Sequence, residues 1–196
     1  VTKDYVLNLE VVLPTGEIIW TGANTLKNST GYNLTQLMVG SEGTLGIITK
    51  IVLKLLPKVT HNVLMLVPFY QASQACEAVS AIWRAGIMPS ALEFMERDAI
   101  DRTLQYNDDI SIKVNDNIQA HLLIEVDGNY PEILFAEAQK IMEVVEPFEI
   151  DEVLFADTED QKNALWKMRR SVAEAVKSNS IYKEEDVTEL EVGYCC

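Results

Sequence analysis

Apolar and polar residues alternate loosely from Tyr5 to Leu13, the two-residue period of an extended strand. PTGEI then supplies turn residues and IIW resumes the extended pattern, which predicts a β-hairpin. After the polar stretch GANTLKNSTGYN, the residues Leu34, Leu37 and Met38 fall at helical spacing and predict one or two turns that stop at Gly40. The apolar run GIITKIVLKLL, from Gly46 to Leu56, reads as a strand. Pro57 and the polar KVTHN behind it mark a domain boundary.

Beyond that boundary the pattern changes to longer elements. NVLMLVPF, SALEFME, QAHLLIEVDG and FEIDEVLFA read as strands. QASQACEAVSAIWRAG, RDAIDRTLQ, PEILFAEAQKIMEVVE and TEDQKNALWKMRRSVAEAVKS carry apolar residues at a period of about 3.6 and read as helices. Two successive β-α-β runs predict a ferredoxin-like α+β sheet with helices packed on one face. Trp83 and Trp166, set among small and aliphatic residues on helices, read as core anchors. Cys76 reads as a small buried hydrophobe, and the run from Glu184 to Asp186 as a solvated face.

Composition narrows the function classes. With 48% hydrophobic residues in a chain of 196, a core is affordable, yet no apolar run reaches the roughly 20 residues of a membrane helix. Sixteen Lys and Arg stand against 30 Asp and Glu, for a formal charge of −14 spread along the chain. That surface repels phosphate backbones and excludes nucleic acid as the expected partner. Three cysteines form no CxxC pair, which fits a reducing, cytoplasmic setting. The only histidines, His61 and His121, lie far apart at strand starts, so metal-ligand spacing is absent and no catalytic role is assigned to them. The opening VTKDYVLNLEVVLP has neither an initiator Met nor a signal-peptide layout and reads as a strand already in progress, as in a piece of a larger protein.

The stretch GSEGTLGIIT places Gly40, Gly43 and Gly46 three residues apart ahead of an apolar strand. Glycine inside a regular element costs roughly 0.5–1 kcal/mol relative to Ala, so the spacing needs a reason. A turn through positive φ angles is one reason, and close approach of a phosphate to bare backbone N–H groups is the other. Composition and spacing leave both open.

Extended upstream, NSTGYNLTQLMVGSEGTLGIITKIVLKLLP closely resembles the signature that closes the FAD-binding domain of the FAD-linked oxidases related to vanillyl-alcohol oxidase. Within that superfamily it is most similar to the branch of glycolate oxidase FAD subunits, D-lactate dehydrogenases and D-2-hydroxyglutarate dehydrogenases. The resemblance covers nearly the whole chain. It implies an α+β fold in which residues 1–57 are the C-terminal piece of a PCMH-type FAD-binding domain. Residues 58–196 would then be a truncated, ferredoxin-like FAD-oxidase cap domain on the substrate side. It also implies that Gly40, Ser41, Glu42, Gly43, Thr44, Leu45, Gly46, Ile47 and Ile48 lie on the FAD side. Chemistry agrees, since backbone donors and the Ser41 and Thr44 hydroxyls can meet anionic oxygens while Ile47 and Ile48 offer contact to adenine.

A second match lies at LWKMRR, followed by YKEED. In the family an Arg and a Lys at these places hold the carboxylate of a 2-hydroxy acid, and they correspond to Arg169 and Lys183. Arg presents a planar fork and Lys a compact charge, a combination suited to a carboxylate. Without the resemblance, Arg169 or Arg170 would read as pairing with Glu174 on the same helix. The D-2-hydroxyglutarate branch carries a Thr four residues after the Arg, where this chain has Ala173, which argues against that substrate.

The activity implied is oxidation of a D-2-hydroxy acid to the 2-keto acid with FAD as hydride acceptor. The implied partners are that small acid and a partner redox subunit or electron acceptor, with a homodimer among the assemblies open to the protein. The main pyrophosphate loop, the catalytic histidine and the metal ligands of the family are expected outside these residues, so no catalytic or metal-binding residue is assigned and the isolated chain is expected to be inactive. The runner-up within the superfamily is the alkylglycerone-phosphate synthase type. A non-catalytic assembly module that contacts a redox subunit is the alternative from another class.

Overall fold

The computed structural model describes residues 2–107, 112 and 114–179. These divide into two compact units on either side of the boundary between Lys58 and Val59.

In the first unit, β1 (Val6–Val12) is the middle strand of a three-stranded antiparallel sheet, flanked by β2 (Ile18–Trp20) and β3 (Ile47–Leu53). The expected hairpin is present. Its turn closes through Leu13 N–H on the Glu17 carbonyl and Gly16 N–H on the Leu13 carbonyl, both at 2.8 Å. The short helix α1 (Leu34–Met38) also forms where the spacing placed it, with the Asn33 side chain accepting from Gln36 N–H. Only Leu9, Val11 and Met38 form a fully buried apolar cluster here.

Polar contacts do the rest of the fastening. The buried Asn8 accepts from the N–H groups of Gly22 and Leu9 and donates to Asn24, while the hydroxyls of Thr21 and Thr35 meet at 2.9 Å. This pins α1 to the sheet with neutral hydrogen bonds, each a net contribution of about 1 kcal/mol that would become a comparable or larger cost if one partner were removed.

The second unit is a four-stranded antiparallel sheet in the order β5-β6-β4-β7: β4 (His61–Phe69), β5 (Ala91–Glu96), β6 (Ala120–Gly128) and β7 (Leu154–Ala156). The helices are α2 (Ala72–Arg84), α3 (Arg97–Tyr106), α4 (Pro131–Val145) and α5 (Glu159–Asn179). Strand order and the two β-α-β runs match the ferredoxin-like expectation. The one-face expectation is corrected, because helices cover both faces. On one face, α2 (Ala75, Ala78, Ile82) and α4 (Leu134, Ala138, Ile141, Val145) pack on Met65, Val67, Leu122 and Ile124. On the other, α3 (Ile100) and α5 (Leu165, Met168) pack on Leu64, Leu66 and Leu123. The central strands are accordingly buried without alternation from Leu64 to Phe69 and from Ala120 to Ile124.

Other expectations shift at the edges. FEIDEVLFA forms only the three-residue β7 and an isolated bridge from Ile150 to Phe69. Asp151 follows the bridge: its N–H still reaches the Pro68 carbonyl at 3.1 Å, and its carboxylate accepts from Glu152 N–H and from the Asn115 amide. The strand expected to reach Leu56 ends at Leu53. Trp83 is not a core anchor, since it follows Ile82 off the buried stripe of α2 and is half exposed. Trp166 is half-buried against the α3–α5 side of the core, with the Arg170 guanidinium 5.5 Å from its ring centre. Cys76 is half-buried, where a fully buried small hydrophobe was expected; Cys195 and Cys196 lie outside the described residues. Among the described residues no helix is long and apolar enough to cross a membrane.

Two measurements probe these packings. Gly46 is buried against β1, where an added Cβ would sit 2.6 Å from Val11 Cγ1 and 2.8 Å from the Val12 carbonyl oxygen. Gly46→Ala is expected to destabilise the first unit by about 1–3 kcal/mol, read as a lowered urea midpoint. A midpoint equal to wild type would remove the steric reading.

His121 is buried on the α3–α5 face of β6, and burial, with the Arg97 charge second and Asp101 opposing, lowers its pKa to about 4 from 6.5. The unfolded chain then binds the extra proton between these values, so this stabilisation is complete above pH 6.5 and is lost as pH falls toward 4. At pH 4.5 the loss relative to pH 7 should be about 2–3 kcal/mol in wild type and absent from this source in His121→Leu, by chemical denaturation at both pH values. Equal pH dependence in the two proteins would refute the assignment.

Candidate functional site

The glycine-rich stretch leaves α1 and enters β3. Gly40 takes φ +83, the left-handed region that glycine occupies without a Cβ penalty, and lets the chain reverse after Met38. Ser41 N–H then returns to the Met38 carbonyl at 3.2 Å. A tight turn follows over residues 41–44, with Thr44 N–H on the Ser41 carbonyl at 3.0 Å and positive φ at both central residues, Glu42 (+50) and Gly43 (+76). Positive φ at both centres is the pattern of a type I′ turn. Glu42 is a non-glycine residue in that region, a conformation costing of order 1–2 kcal/mol.

The three glycines thus have separate duties. Gly40 and Gly43 serve the turn, and Gly46 serves contact with β1. The turn does not close off the ligand reading, because a Cβ at Gly40 or Gly43 would meet nothing within 4 Å, and the backbone from Gly40 to Leu45 is exposed apart from half-buried Ser41.

Two details revise the expected chemistry. The Thr44 hydroxyl donates to the Ser41 carbonyl at 2.6 Å, so its hydrogen is committed inside the turn and only its lone pairs face outward. The Ser41 hydroxyl makes no such bond among the described residues. Ile47 and Ile48 are 62% and 39% exposed, and as successive residues of β3 they project to opposite faces of the sheet. One planar ring cannot lie against both side chains.

In the second unit, Arg169 on α5 faces β5. Its Nε and Nη2 both lie 2.8 Å from Oε2 of Glu93, a partner 76 residues away in sequence. The same-helix pairing with Glu174 is therefore replaced by a tertiary one. Glu93 pairs across β6 with Leu123, which places it on the α3–α5 face. Both partners are about one-third exposed, and Nη1 of Arg169 has no hydrogen-bond partner among the described residues. Arg170 is exposed. Lys183 lies outside the described residues.

Sequence reasoning missed Glu93; its only signal is an acidic residue at a position of SALEFME whose neighbours in register, Leu123 and Leu66, are core. A further polar site on the same face joins Lys162, whose Nζ lies 2.7 Å from Asn62 Oδ1, to Glu125 through the Asn62 amide. Among the described residues no group of three or more His, Cys, Asp or Glu side chains is placed to hold a metal ion.

Residues 58–189 match the family "FAD linked oxidases, C-terminal domain". The chain is 36% identical to a D-lactate dehydrogenase of Anaerostipes hadrus over 94% of this chain and 39% of that protein. It is 37% identical to the glycolate oxidase subunit GlcD of Bacillus subtilis (strain 168) over 98% of this chain and 41% of the relative. It therefore spans about two-fifths of the length of these curated relatives.

Among solved structures it resembles an alkyldihydroxyacetonephosphate synthase (TM-score 0.63, 18% identity, 90% of this chain and 33% of that one). It also resembles a p-cresol methylhydroxylase with substrate bound (TM-score 0.61, 16% identity, 84% of this chain and 38% of that one). These likenesses are of fold and agree with the α+β expectation. With a family match over residues 58–189 and a ferredoxin-like sheet across the same span, the chain belongs to the FAD-linked oxidases.

Proposed function

We propose that this chain is part of an FAD-dependent oxidoreductase that oxidises a small D-2-hydroxy acid, of the glycolate or D-lactate kind, to the 2-keto acid. The observation that carries this reading is 36–37% identity, over nearly the whole chain, to relatives named D-lactate dehydrogenase and glycolate oxidase subunit GlcD. The likeness to the synthase stands at 18% and supports no phosphorylated, lipid-linked substrate. In this reading residues 1–57 belong to the flavin domain and 58–196 to the substrate cap.

The stretch Gly40–Ile48 supplies the cofactor side. Open backbone at Gly40 and Gly43 fits a ligand held through main-chain N–H groups. When bound, FAD supplies the two-electron acceptor, and the protein's own part is to bind and orient the acid. Arg169 is the residue of this chain assigned to the acid. Glu93 holds two of its nitrogens on one oxygen, which fixes the plane of the guanidinium and leaves Nη1 to donate to a substrate carboxylate. Lys183 is proposed as the second cation. A partner redox subunit belongs to the same reading, since one relative is itself named as a subunit.

The test is anaerobic bleaching of the flavin absorbance in the full-length parent reconstituted with FAD, using glycolate, D-lactate and D-2-hydroxyglutarate. Bleaching by glycolate or D-lactate is expected, and none by any hydroxy acid would sink the reading. Arg169→Ala in that protein should lower kcat/KM by the equivalent of about 2–4 kcal/mol, by loss of a charged hydrogen bond. An unchanged kcat/KM would return Arg169 to a purely structural pairing.

A further inference from the structure

The α3–α5 face of the second unit holds a cavity that neither the proposed hydroxy-acid site nor the glycine-rich stretch uses. It opens at the end of β4, beside β6, β7 and the first turns of α5, and has a volume of about 640 Å³. Its inner wall is apolar, with Leu66, Pro68 and Leu165 among the lining residues. In the same wall stands His121, opposite Pro68 in the β4–β6 register and 3% exposed. Its Nδ1 is buried and, among the described residues, has no hydrogen-bond partner. Leaving a buried polar atom unpaired costs about 1–3 kcal/mol, a cost that a ligand reaching into the cavity would remove.

The lining also sets the charge of that ligand. Asp151 and Glu152 are the charged groups among the described lining residues, and the Arg97 guanidinium, held on the carbonyl of Asn115, is already matched by Asp101 and Asp116, so a carboxylate or phosphate is disfavoured there. The Asp151 carboxylate is already engaged by the Asn115 amide and Glu152 N–H, and Oε1 of Gln161 accepts from the N–H groups of Asp157 and Thr158. That leaves the imidazole as the buried group still in need of a partner. With its pKa lowered to about 4 it is neutral at pH 7, and a neutral imidazole nitrogen either accepts or donates one hydrogen bond. A hydroxyl group can answer either requirement.

We propose that this cavity is a binding site for a small neutral molecule with an apolar ring or chain and one hydroxyl group, the hydroxyl meeting Nδ1 of His121. The site is separate from the hydroxy-acid reading and does not depend on it.

The experiment is a titration of the 196-residue chain, labelled with ¹⁵N-histidine, at pH 7.5 with three probes of similar size: phenol, toluene and benzoate. Phenol is expected to shift the His121 ring nitrogen resonance saturably. Toluene, which cannot make the hydrogen bond, and benzoate, which carries the wrong charge, should each bind about tenfold more weakly. In His121→Leu the phenol affinity should fall to that of toluene while the backbone amide spectrum stays that of a folded chain. The idea is overturned if phenol gives no saturable shift at His121, as when water alone satisfies Nδ1, or if benzoate binds as well as phenol. Phenol binding unchanged in a folded His121→Leu would overturn it equally. The wild-type comparison decides the matter if that variant does not fold.

Discussion

The second unit depends on one pairing, the nine-residue antiparallel register that runs from His61 opposite Gly128 to Phe69 opposite Ala120. Each residue of this pair of strands commits its side chain to one of two cores, and both cores must be filled for either strand to be buried. Odd-numbered β4 residues such as Met65 and Val67 meet α2 and α4, while Leu64 and Leu66 meet α3 and α5. A slip of one residue would exchange the two sets at once. The register therefore fixes which side chains reach the α3–α5 face, among them Glu93 by way of Leu123, and His121 opposite Pro68.

The first unit is held differently. Its fully buried apolar cluster is three residues, and the buried polar set of Asn8, Thr21 and Thr35 supplies the specificity that area cannot. Strand β3 leaves Ile47, Ile51 and Leu53 more than half exposed, so the sheet alone does not cover its own apolar residues. The glycine-rich stretch sits at the join between α1 and this strand, where a turn, a close backbone contact and open main chain are all required within seven residues.

Much of this was legible in the chain. Every helix and strand expected from periodicity is present, because amphipathic stripes such as Leu134, Ala138, Ile141 and Val145 carry their own address. The second helical layer was not anticipated, although LMLVPF and HLLI, being apolar without alternation, already describe strands with no wet face. The shortness of β7 has no local signature in FEIDEVLFA, and the Asn115–Asp151 contact beside it spans 36 residues. At the candidate site, the glycine spacing marked a stretch with special backbone demands, but the division of duties among its three glycines needed φ angles and the position of β1. Arg169 was singled out by resemblance, whereas its partner Glu93 could be found only in three dimensions.

That partnership has an electrostatic consequence. An arginine already matched by a carboxylate has almost no net field to offer at a distance, so an approaching anion is not drawn in by long-range attraction. In the role proposed for Arg169, an acid would be accepted or refused at contact, by the fit of its oxygens to the one guanidinium edge that Glu93 leaves open. An acid bound there would sit in a cluster of two negative charges and one positive, stable only when another cation restores parity. Recognition built this way responds to shape and to the second cation, and very little to the ionic strength of the solution.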